Sequence, residues 1–222
     1  FTSRENHYIR EELKPITDEH IAEFLEAIKG HCYELLYTID LFTGMRKGEI
    51  LGLTWDCVNL DTGVVVINKQ LIQEKKKGGQ YKLASTKNSK GRTVRIPPSV
   101  IELFRQQKAK QISWKKEAGS AWDNSLNLVF TNEIGGHLSH TTVTHSFKKI
   151  VQSIGLESTR FHDLRHSCAS ILIDMGFSLK DIQEWLGHAD ITMTGNVYGH
   201  LFNDRKVALA NQLADKMSAV NG

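Results

Sequence analysis

The sequence predicts an α+β fold that is mostly helical, with a small antiparallel sheet of three strands beside the helices. Apolar residues recur at helical spacing around residues 21–28, 35–42, 100–112 and 143–154. Between the second and third of these segments, β-branched residues flank a turn-forming stretch at residues 61–63. With 222 residues, 40% of them hydrophobic and 24% charged, the chain is long enough to bury one substantial core.

The first two helices are predicted from their apolar stripes, and Thr17 is the expected N-cap of the first. Gly44 breaks the second stripe, so Arg46 is expected at the start of a short helix with Glu49 three residues later. This spacing is equally typical of an ion pair on a protein surface. Spacing alone therefore leaves the role of the pair open.

Three strands are predicted at residues 58–60, 64–67 and 93–96, with a tight turn between the first two. A long basic hairpin connects the second strand to the third. Its cations are Lys75, Lys76, Lys77, Lys82, Lys87, Lys90, Arg92 and Arg95. From composition alone, such a cluster is as typical of a solvated loop as of a nucleic-acid-binding surface.

The middle of the chain predicts two more helices. Pro97 and Pro98 end the sheet, and Ser99 with Glu102 predicts a capping box for the next helix. A later helix is expected after Gly136, capped by Ser139. Three histidines gather near that cap, namely His137, His140 and His145. Because no HExxH spacing accompanies them, we predict surface or phosphate-contacting roles and no metal.

The residues most suggestive of chemistry lie between residues 161 and 200. The apolar positions after His162 mark a helix face, which places His162 and Arg165 one turn apart at the start of a helix. Both side chains are expected to reach a single anion. Taken singly, each is more typical of capping, packing or solvation.

A second helix in this segment begins with a predicted capping box of Ser178 and Asp181 and ends at Gly187, which presents His188. Asp190 is the expected N-cap of the next segment. Tyr198 is expected in a small mobile helix or turn outside the core. Two imidazoles, a guanidinium and a late tyrosine hydroxyl predict chemistry on a phosphodiester with tyrosine as the nucleophile.

In these motifs the sequence resembles the tyrosine recombinases, also called phage-type integrases. The matching pieces, in chain order, are Thr43-Gly44-Met45-Arg46-Lys47-Gly48-Glu49, Ser85-Thr86-Lys87, His162-Asp163-Leu164-Arg165, Leu186-Gly187-His188 and Tyr198-Gly199-His200. The resemblance extends from about residue 15 to the C-terminus. It implies the DNA breaking-rejoining fold of that family.

The resemblance also implies roles for individual residues. The implied catalytic residues are Arg46, Lys87, His162, Arg165, His188 and Tyr198, with Glu49 in support. The implied DNA-binding residues are Lys75, Lys76, Lys77, Lys90 and Arg92. In this interpretation the two arginines clamp the phosphate, His188 adds a hydrogen bond, and His162 accepts the proton of Tyr198. Lys87 is the acid for the leaving oxygen, and Lys90 is the alternative.

The implied activity is site-specific recombination of double-stranded DNA through a 3′-phosphotyrosyl intermediate, with no metal, ATP or other cofactor. The implied organisation is a linker remnant over residues 1–14, a catalytic domain over 15–203 and a helical tail over 204–222. The tail could pack on its own domain, but the resemblance implies exchange between protomers of a tetramer on DNA, with a monomer in solution. The alternatives are a type IB topoisomerase-like activity and a non-catalytic helix-turn-helix over residues 178–198.

Charge and cysteine usage are compatible with this interpretation. The net charge of +3 and the isoelectric point of about 8.7 permit binding to nucleic acid without requiring it. Three widely spaced cysteines, Cys32, Cys57 and Cys168, are expected as reduced thiols in the core of a cytoplasmic protein. We expect no membrane partner, because no apolar run is long enough to span a bilayer and the first residues do not form a signal peptide.

Overall fold

The structure is a computed structural model that describes residues 16–74, 79–86, 91–192, 194–199, 201–202, 206, 210–211 and 216. Its named α-helices are α1 (Asp18–Ala27), α2 (Glu34–Thr43), α3 (Lys47–Leu51), α4 (Pro98–Ala118), α5 (His140–Ser153), α6 (Asp163–Asp174) and α7 (Leu179–Leu186). Residues 191–192, 194–199 and 201–202 are also helical. The strands are β1 (Val58–Asn59), β2 (Val64–Ile67), β3 (Lys69–Gln73), β4 (Tyr81–Ser85) and β5 (Arg92–Arg95).

The predicted sheet of three antiparallel strands is confirmed, with the order β1-β2-β5. Val65 pairs with Val58 on one side and with Val94 on the other. The turn between β1 and β2 uses Gly63 at a φ of +69°, and its carbonyl accepts a hydrogen bond from the Ile96 amide at 2.9 Å. The basic segment between β2 and β5 forms a second, two-stranded antiparallel sheet of β3 and β4.

The main core joins the first helices to α5 and to the residue that precedes α6. Phe147 lies at its centre, with ring centroids 5.7 Å from Phe24, 5.5 Å from Tyr37 and 5.6 Å from Phe161. All four rings are buried, and each is worth about 1.5–3 kcal/mol of apolar burial. The Tyr37 hydroxyl donates to the Val143 carbonyl at 2.9 Å. The start of α6 is therefore held by aromatic packing.

A close backbone contact fixes α3. Gly52 follows this helix, and a Cβ atom built there would lie 2.3 Å from the backbone nitrogen of Leu71 in β3. Only a residue without a side chain allows α3 to approach the strand so closely. The position of α3 matters because Arg46 immediately precedes it and Glu49 lies within it.

Two local predictions were wrong. Helix α4 begins at Pro98 with Pro97 as its N-cap, so the predicted capping box of Ser99 and Glu102 does not form. Proline suits the first position of a helix because that position needs no backbone N–H. Cys32 is exposed in the connection between α1 and α2, whereas Cys57 and Cys168 are buried as expected.

Several predictions fall on residues outside the described ranges. These are Lys75, Lys76, Lys77, Lys87, Lys90 and most of the tail over residues 204–222. In the part of the chain that is described, no helix is both long enough and apolar enough to cross a membrane.

Substituting Gly44→Ala should destabilise the fold. Gly44 ends α2 at a φ of +60°, and an added Cβ would lie 2.6 Å from Leu186 Cδ2 and 3.1 Å from Cys168 Sγ. The left-handed backbone costs about 1–2 kcal/mol for an L-residue, and overpacking adds roughly 1–3 kcal/mol. Urea denaturation measures the loss in free energy of unfolding.

Gly30→Ala is the matched control, because Gly30 has a φ of +74° and no described atom within 4 Å of the added Cβ. It should show the backbone cost alone. Equal losses in the two variants would mean that the contacts of Gly44 with α6 and α7 do not constrain the fold.

Candidate active site

The start of α6 is fixed by a buried carboxylate as well as by aromatic packing. Asp163 is fully buried, and its Oδ2 accepts a hydrogen bond from the Arg160 backbone amide at 2.7 Å. The Arg160 guanidinium pairs with Oδ1 of the same carboxylate at 3.2 Å. An acidic side chain in the first turn also suits the positive end of the helix. His162 stands at the N-cap, and Arg165 lies one turn into the helix.

Arg165 joins the ends of two other helices. Its side chain is only 2% exposed, and it donates from Nη1 to the Gly44 carbonyl and from Nη2 to the Leu186 carbonyl, both at 2.6 Å. These carbonyls lie at the C-termini of α2 and α7, where backbone acceptors lack helical partners. Burial, with Arg46 and Arg92 next in importance, lowers the Arg165 pKa to about 10. The guanidinium remains charged at neutral pH.

Gly44 and Gly187 are the residues that allow this arrangement. Both adopt left-handed backbone conformations at the C-caps of α2 and α7, with φ of +60° and +67°. The chain therefore turns away sharply after each helix and leaves its last carbonyls pointing at the arginines. Arg46 reaches the second of these ends, donating from Nη2 to the Gly187 carbonyl at 3.4 Å.

Glu49 connects Arg46 to Arg92. The carboxylate is 2% exposed and lies 2.8 Å from Arg46 Nη1 and 2.9 Å from Arg92 Nη2. It also accepts from the Arg46 backbone amide at 2.9 Å. Burial opposes ionisation of Glu49, but Arg92 and Arg46 outweigh it and lower the pKa of the carboxyl. The pair is therefore not the solvent-exposed ion pair that the spacing also allowed.

The structure places Arg92 differently from a DNA-binding surface residue. Its side chain is 10% exposed, and its Nε donates to the Trp185 carbonyl near the end of α7 at 2.8 Å. Together with the pairing to Glu49, this contact makes Arg92 part of the buried frame. Arg46, by contrast, keeps 42% of its side chain exposed. Arg46 is thus the more accessible of the two guanidinium groups that Glu49 holds.

His188 follows Gly187 and is oriented by a buried threonine. Its Nδ1 lies 2.9 Å from the Thr194 hydroxyl, and Thr194 is fully buried in the helical residues after α7. Burial, then the charges of Arg165 and Arg46, lower the His188 pKa to about 3. The imidazole is therefore neutral at physiological pH, with Nε2 not engaged by Thr194.

Tyr198 lies in a short helical segment, as one form of the prediction had it, but it is buried, which contradicts the predicted position outside the core. The side chain is 1% exposed and belongs to a second apolar cluster. The buried members of this cluster are Cys168, Ala169, Leu172, Ile173, Ile182, Leu186 and Tyr198. Polar surroundings in the sequence obscured this burial, because the apolar partners come from α6 and α7. The ring of His188 stacks on Tyr198 with centroids 6.5 Å apart and planes 8° apart.

The hydrogen-bond partner of the Tyr198 hydroxyl is His166, at 2.7 Å from its Nδ1. The sequence had indicated His162 instead. His162 contacts His166 edge-on, with ring centroids 5.1 Å apart. Burial raises the Tyr198 pKa above its ordinary value, with Arg165 opposing. Burial and the neighbouring His162 lower the His166 pKa to about 4.

Sequence reasoning therefore missed His166 and Thr194. A signal for His166 was present, because it stands four residues after His162 and shares the same helix face. No local pattern distinguishes Thr194 from the nearby Thr192. The hydrogen bond of Thr194 to His188 depends on how the residues after α7 fold back toward that histidine.

A further buried carboxyl, that of Asp40, lies near Arg165 and Arg92. Asp40 in α2 is 1% exposed, and neither of its oxygens accepts a hydrogen bond from a described residue. Burial raises its pKa well above the ordinary value, while Arg165 acts in the opposite direction. Asp40 was not singled out in the sequence, because an acidic residue in a helix is ordinarily solvated.

A cleft of about 540 Å³ lies between α3, α5 and the residues before α6. Its lining includes Lys47, His140, Thr144, Lys148 and Arg160. The expected histidine group is partly organised around Tyr81, whose ring centroid is 4.5 Å from His137 and 5.4 Å from His140. In the described part of the chain, no group of three or more His, Cys, Asp or Glu residues could hold a metal ion.

Comparison with known proteins agrees with this geometry. The chain is 33% identical over 217 residues to a tyrosine recombinase XerC-like protein of Caldanaerobacter subterraneus, a match that covers 93% of this chain and 55% of that protein. It is 26% identical over 224 residues to the ICEBs1 integrase of Bacillus subtilis, with coverage of 93% and 55%. The chain therefore spans about half the length of these curated relatives.

Two solved structures share the fold. The Tn1549 transposon integrase in complex with transposon right end DNA has a TM-score of 0.73 and 25% identity, covering 92% of this chain and 67% of that one. The XerH site-specific recombinase bound to palindromic difH substrate has a TM-score of 0.66 and 27% identity, covering 92% and 55%. The sequence also matches the phage integrase family over residues 14–205. The chain therefore belongs to the phage integrase family of tyrosine recombinases.

Proposed function

We propose that this chain is the catalytic domain of a site-specific DNA recombinase that cleaves and rejoins DNA through a 3′-phosphotyrosyl intermediate. The observation that carries the proposal is the convergence of Arg46, Arg165, His188 and Tyr198. Both arginines contact carbonyls at the end of α7, and His188, the residue after Gly187, stacks on the tyrosine. These groups match what attack on a phosphodiester by a phenol requires.

The arginines would neutralise the non-bridging oxygens of the scissile phosphate. Arg165 uses two of its five N–H donors on backbone carbonyls, which leaves donors for a phosphate while the guanidinium is held rigidly. Arg46 has the exposed fraction needed to contact an incoming phosphate. A planar guanidinium suits two oxygens at once, so a rigid pair of them stabilises the developing charge without reorganisation.

His188 would add a hydrogen bond from Nε2. A Thr194 hydroxyl that donates to Nδ1 would leave the proton of the neutral ring on Nε2, where it is available to a phosphate oxygen. Burial, and after it the charges of Arg165 and Arg46, lower the pKa of His188 and keep the ring neutral. His162, at the N-cap of α6, is subject to the charges of Arg165 and Arg46, which is consistent with a role in binding the same phosphate.

In the proposed reaction, the Tyr198 oxygen bonds to phosphorus and the bond from phosphorus to the 5′-oxygen breaks. The 5′-oxygen takes a proton from Lys87, or from Lys90, both of which lie outside the described residues. The phosphotyrosyl bond keeps the phosphodiester energy, so a 5′-hydroxyl from another strand reverses the step. We propose that neither a metal nor ATP takes part.

Double-stranded DNA is the proposed partner. The relatives support this, because the Tn1549 integrase is in complex with transposon DNA and XerH is bound to its difH substrate. The cleft beside the site contributes Lys47, Lys148 and Arg160, and the basic hairpin adds further lysines. Contacts of this kind bind phosphates without reading sequence. The helix-turn-helix alternative does not account for the buried frame around Arg165.

We further propose that the protein acts as a tetramer on DNA, is a monomer alone, and exchanges its tail over residues 204–222 between protomers. The partly buried Leu201 and Phe202 pack against the same cluster as Tyr198. The residues just before the tail therefore pack in the same cluster as the proposed nucleophile. Docking of the tail would bear directly on the position of the Tyr198 hydroxyl.

Substituting Tyr198→Phe tests the function. The variant should bind DNA as the unmodified protein does and form no covalent adduct, because only the nucleophilic hydroxyl is removed. The assay is incubation with a nicked suicide substrate followed by a denaturing gel. Tyr33→Phe, a partly buried tyrosine of the main core, is the control that should form adduct normally. An adduct in the Tyr198→Phe protein would remove Tyr198 from its role.

Substituting Arg165→Lys should lower the rate of adduct formation by about 10²- to 10³-fold, the usual scale for losing a preorganised charge-stabilising donor. A lysine keeps the charge but cannot contact Gly44, Leu186 and a phosphate together. Arg105→Lys, at an exposed ion pair with Glu102, is the control that should leave the rate unchanged. A near-normal rate for Arg165→Lys would show that charge alone suffices there.

Substituting Lys87→Ala should slow cleavage of ordinary DNA, whereas a substrate with sulfur as the 5′ bridging atom should restore the rate. A thiolate leaves without protonation, so the loss of the general acid no longer matters. Lys90→Ala is the matched variant, three residues further along the chain. If only Lys90→Ala is rescued by the sulfur substrate, Lys90 is the acid.

A further inference from the structure

The contact between His166 and Tyr198 is the shortest route for a proton out of the tyrosine. The hydroxyl oxygen lies 2.7 Å from His166 Nδ1 in a buried environment, where both side chains are at most 9% exposed. Their ring centroids are 5.8 Å apart and the planes are inclined by 56°, so the contact is edge-directed hydrogen bonding and not stacking. A phenol in such a place keeps its proton unless a positioned base removes it.

We propose that His166 is a catalytic residue that takes the phenolic proton of Tyr198 as the tyrosine oxygen attacks phosphorus. This inference rests on the proposed function, and it assigns the proton to a residue outside the motif pieces that indicated the family. The forming bond joins Tyr198 oxygen to phosphorus, the breaking bond releases the 5′-oxygen, and the proton moves to Nδ1. Rejoining returns that proton from His166 to the departing tyrosine.

The packing of α6 gives His162 a different position. His162 is the N-cap, and His166 lies one turn further along the same face, where Tyr198 packs. His162 meets His166 edge-on at 5.1 Å between centroids. The described contact of the Tyr198 hydroxyl is with His166, and His162 reaches this pair only through the ring of His166. Only a base in contact with the hydroxyl can receive the proton directly.

The charges near His166 explain why the proton stays on tyrosine before DNA binds. The groups that affect its pKa are, besides burial, His162, Asp163, Arg165 and Arg160, and together they lower it to about 4. The imidazole is then neutral and able to accept, but weakly basic. A phosphodiester held by Arg46 and Arg165 offsets their positive charge and thereby raises the pKa of His166. Deprotonation is thereby confined to the DNA-bound protein.

The test uses His166→Asn and His166→Gln in single-turnover adduct formation on nicked suicide DNA. Asparagine can place an oxygen near the position of Nδ1, so the hydrogen bond is kept while the base is lost. We expect adduct formation to fall by about 10²- to 10⁴-fold, the usual contribution of a positioned general base, with unchanged DNA affinity. His20→Asn, a partly exposed histidine of α1, is the control that should react normally.

Two further measurements separate a base from a structural residue. Added imidazole should partly restore the rate of His166→Ala, because it can occupy the vacated space, and it should not restore Tyr198→Phe. The defect of His166→Asn should persist on the 5′-sulfur substrate, since that substrate bypasses only the acid. A His166→Asn protein that reacts at the normal rate, or that is restored by the sulfur substrate, would overturn the proposal.

The outcomes distinguish this inference from the proposed function. If the unmodified protein forms no adduct through Tyr198, the function itself fails. If it does so and His166→Asn is equally active, only the role of His166 fails. Should the variants unfold, a solvent deuterium isotope effect on the unmodified protein with the sulfur substrate provides the test. Its presence supports transfer of the phenolic proton in the attacking step, and its absence overturns that transfer.

Discussion

The hydrogen bonds from Arg165 to the carbonyls of Gly44 and Leu186 are the interaction on which the rest of the site depends. They join the C-termini of α2 and α7 to the first turns of α6 through one buried guanidinium. Helix ends carry unpaired carbonyls and a partial negative charge, so a cation placed between two of them is held by both. Because the left-handed glycines at both caps expose these carbonyls, the same three elements also determine where His188 and Tyr198 lie. The Arg165 guanidinium is thus positioned by the backbone and not by flexible side chains.

The site concentrates positive charge and compensates it only partly. Arg46 and Arg92 share the carboxylate of Glu49, Arg165 contacts neutral carbonyls, and the pKa of Asp40 is raised well above its ordinary value by burial. His166 and His188 are neutral at physiological pH, because their pKa values are lowered to about 4 and about 3. Burying cations without partners is costly. An anion placed between the exposed face of Arg46 and the remaining donors of Arg165 would relieve that cost, which is the electrostatic reason for proposing a phosphate there.

Much of this arrangement could be predicted from the sequence, because helices and strands reflect short-range periodicity. The stripes of α1, α2 and α5, the capping box of Ser178 and Asp181, and the three-stranded sheet all agree with the structure. The order of the motifs also identified Arg46, Arg165, His188 and Tyr198 as one group. The burial of Tyr198 and its contact with His166 were not predictable in the same way. They depend on how α6 and α7 pack, because the buried apolar partners of Tyr198 lie 12 to 30 positions earlier in the chain. This is a tertiary effect that overrides the local pattern.

The burial of Tyr198 has a consequence for how its hydroxyl is positioned. Its apolar cluster is small and is built from the same face of α6 that carries Arg165 and His166. Arg165 and His166 are therefore positioned by a single helix, while Tyr198 lies on separate helical residues that pack on α6 and α7. Leu201 and Phe202 contact the same cluster. The position of the Arg165 guanidinium is thus fixed by its hydrogen bonds to two helix ends, whereas the position of the Tyr198 hydroxyl depends on how the helical residues after α7 pack against the cluster.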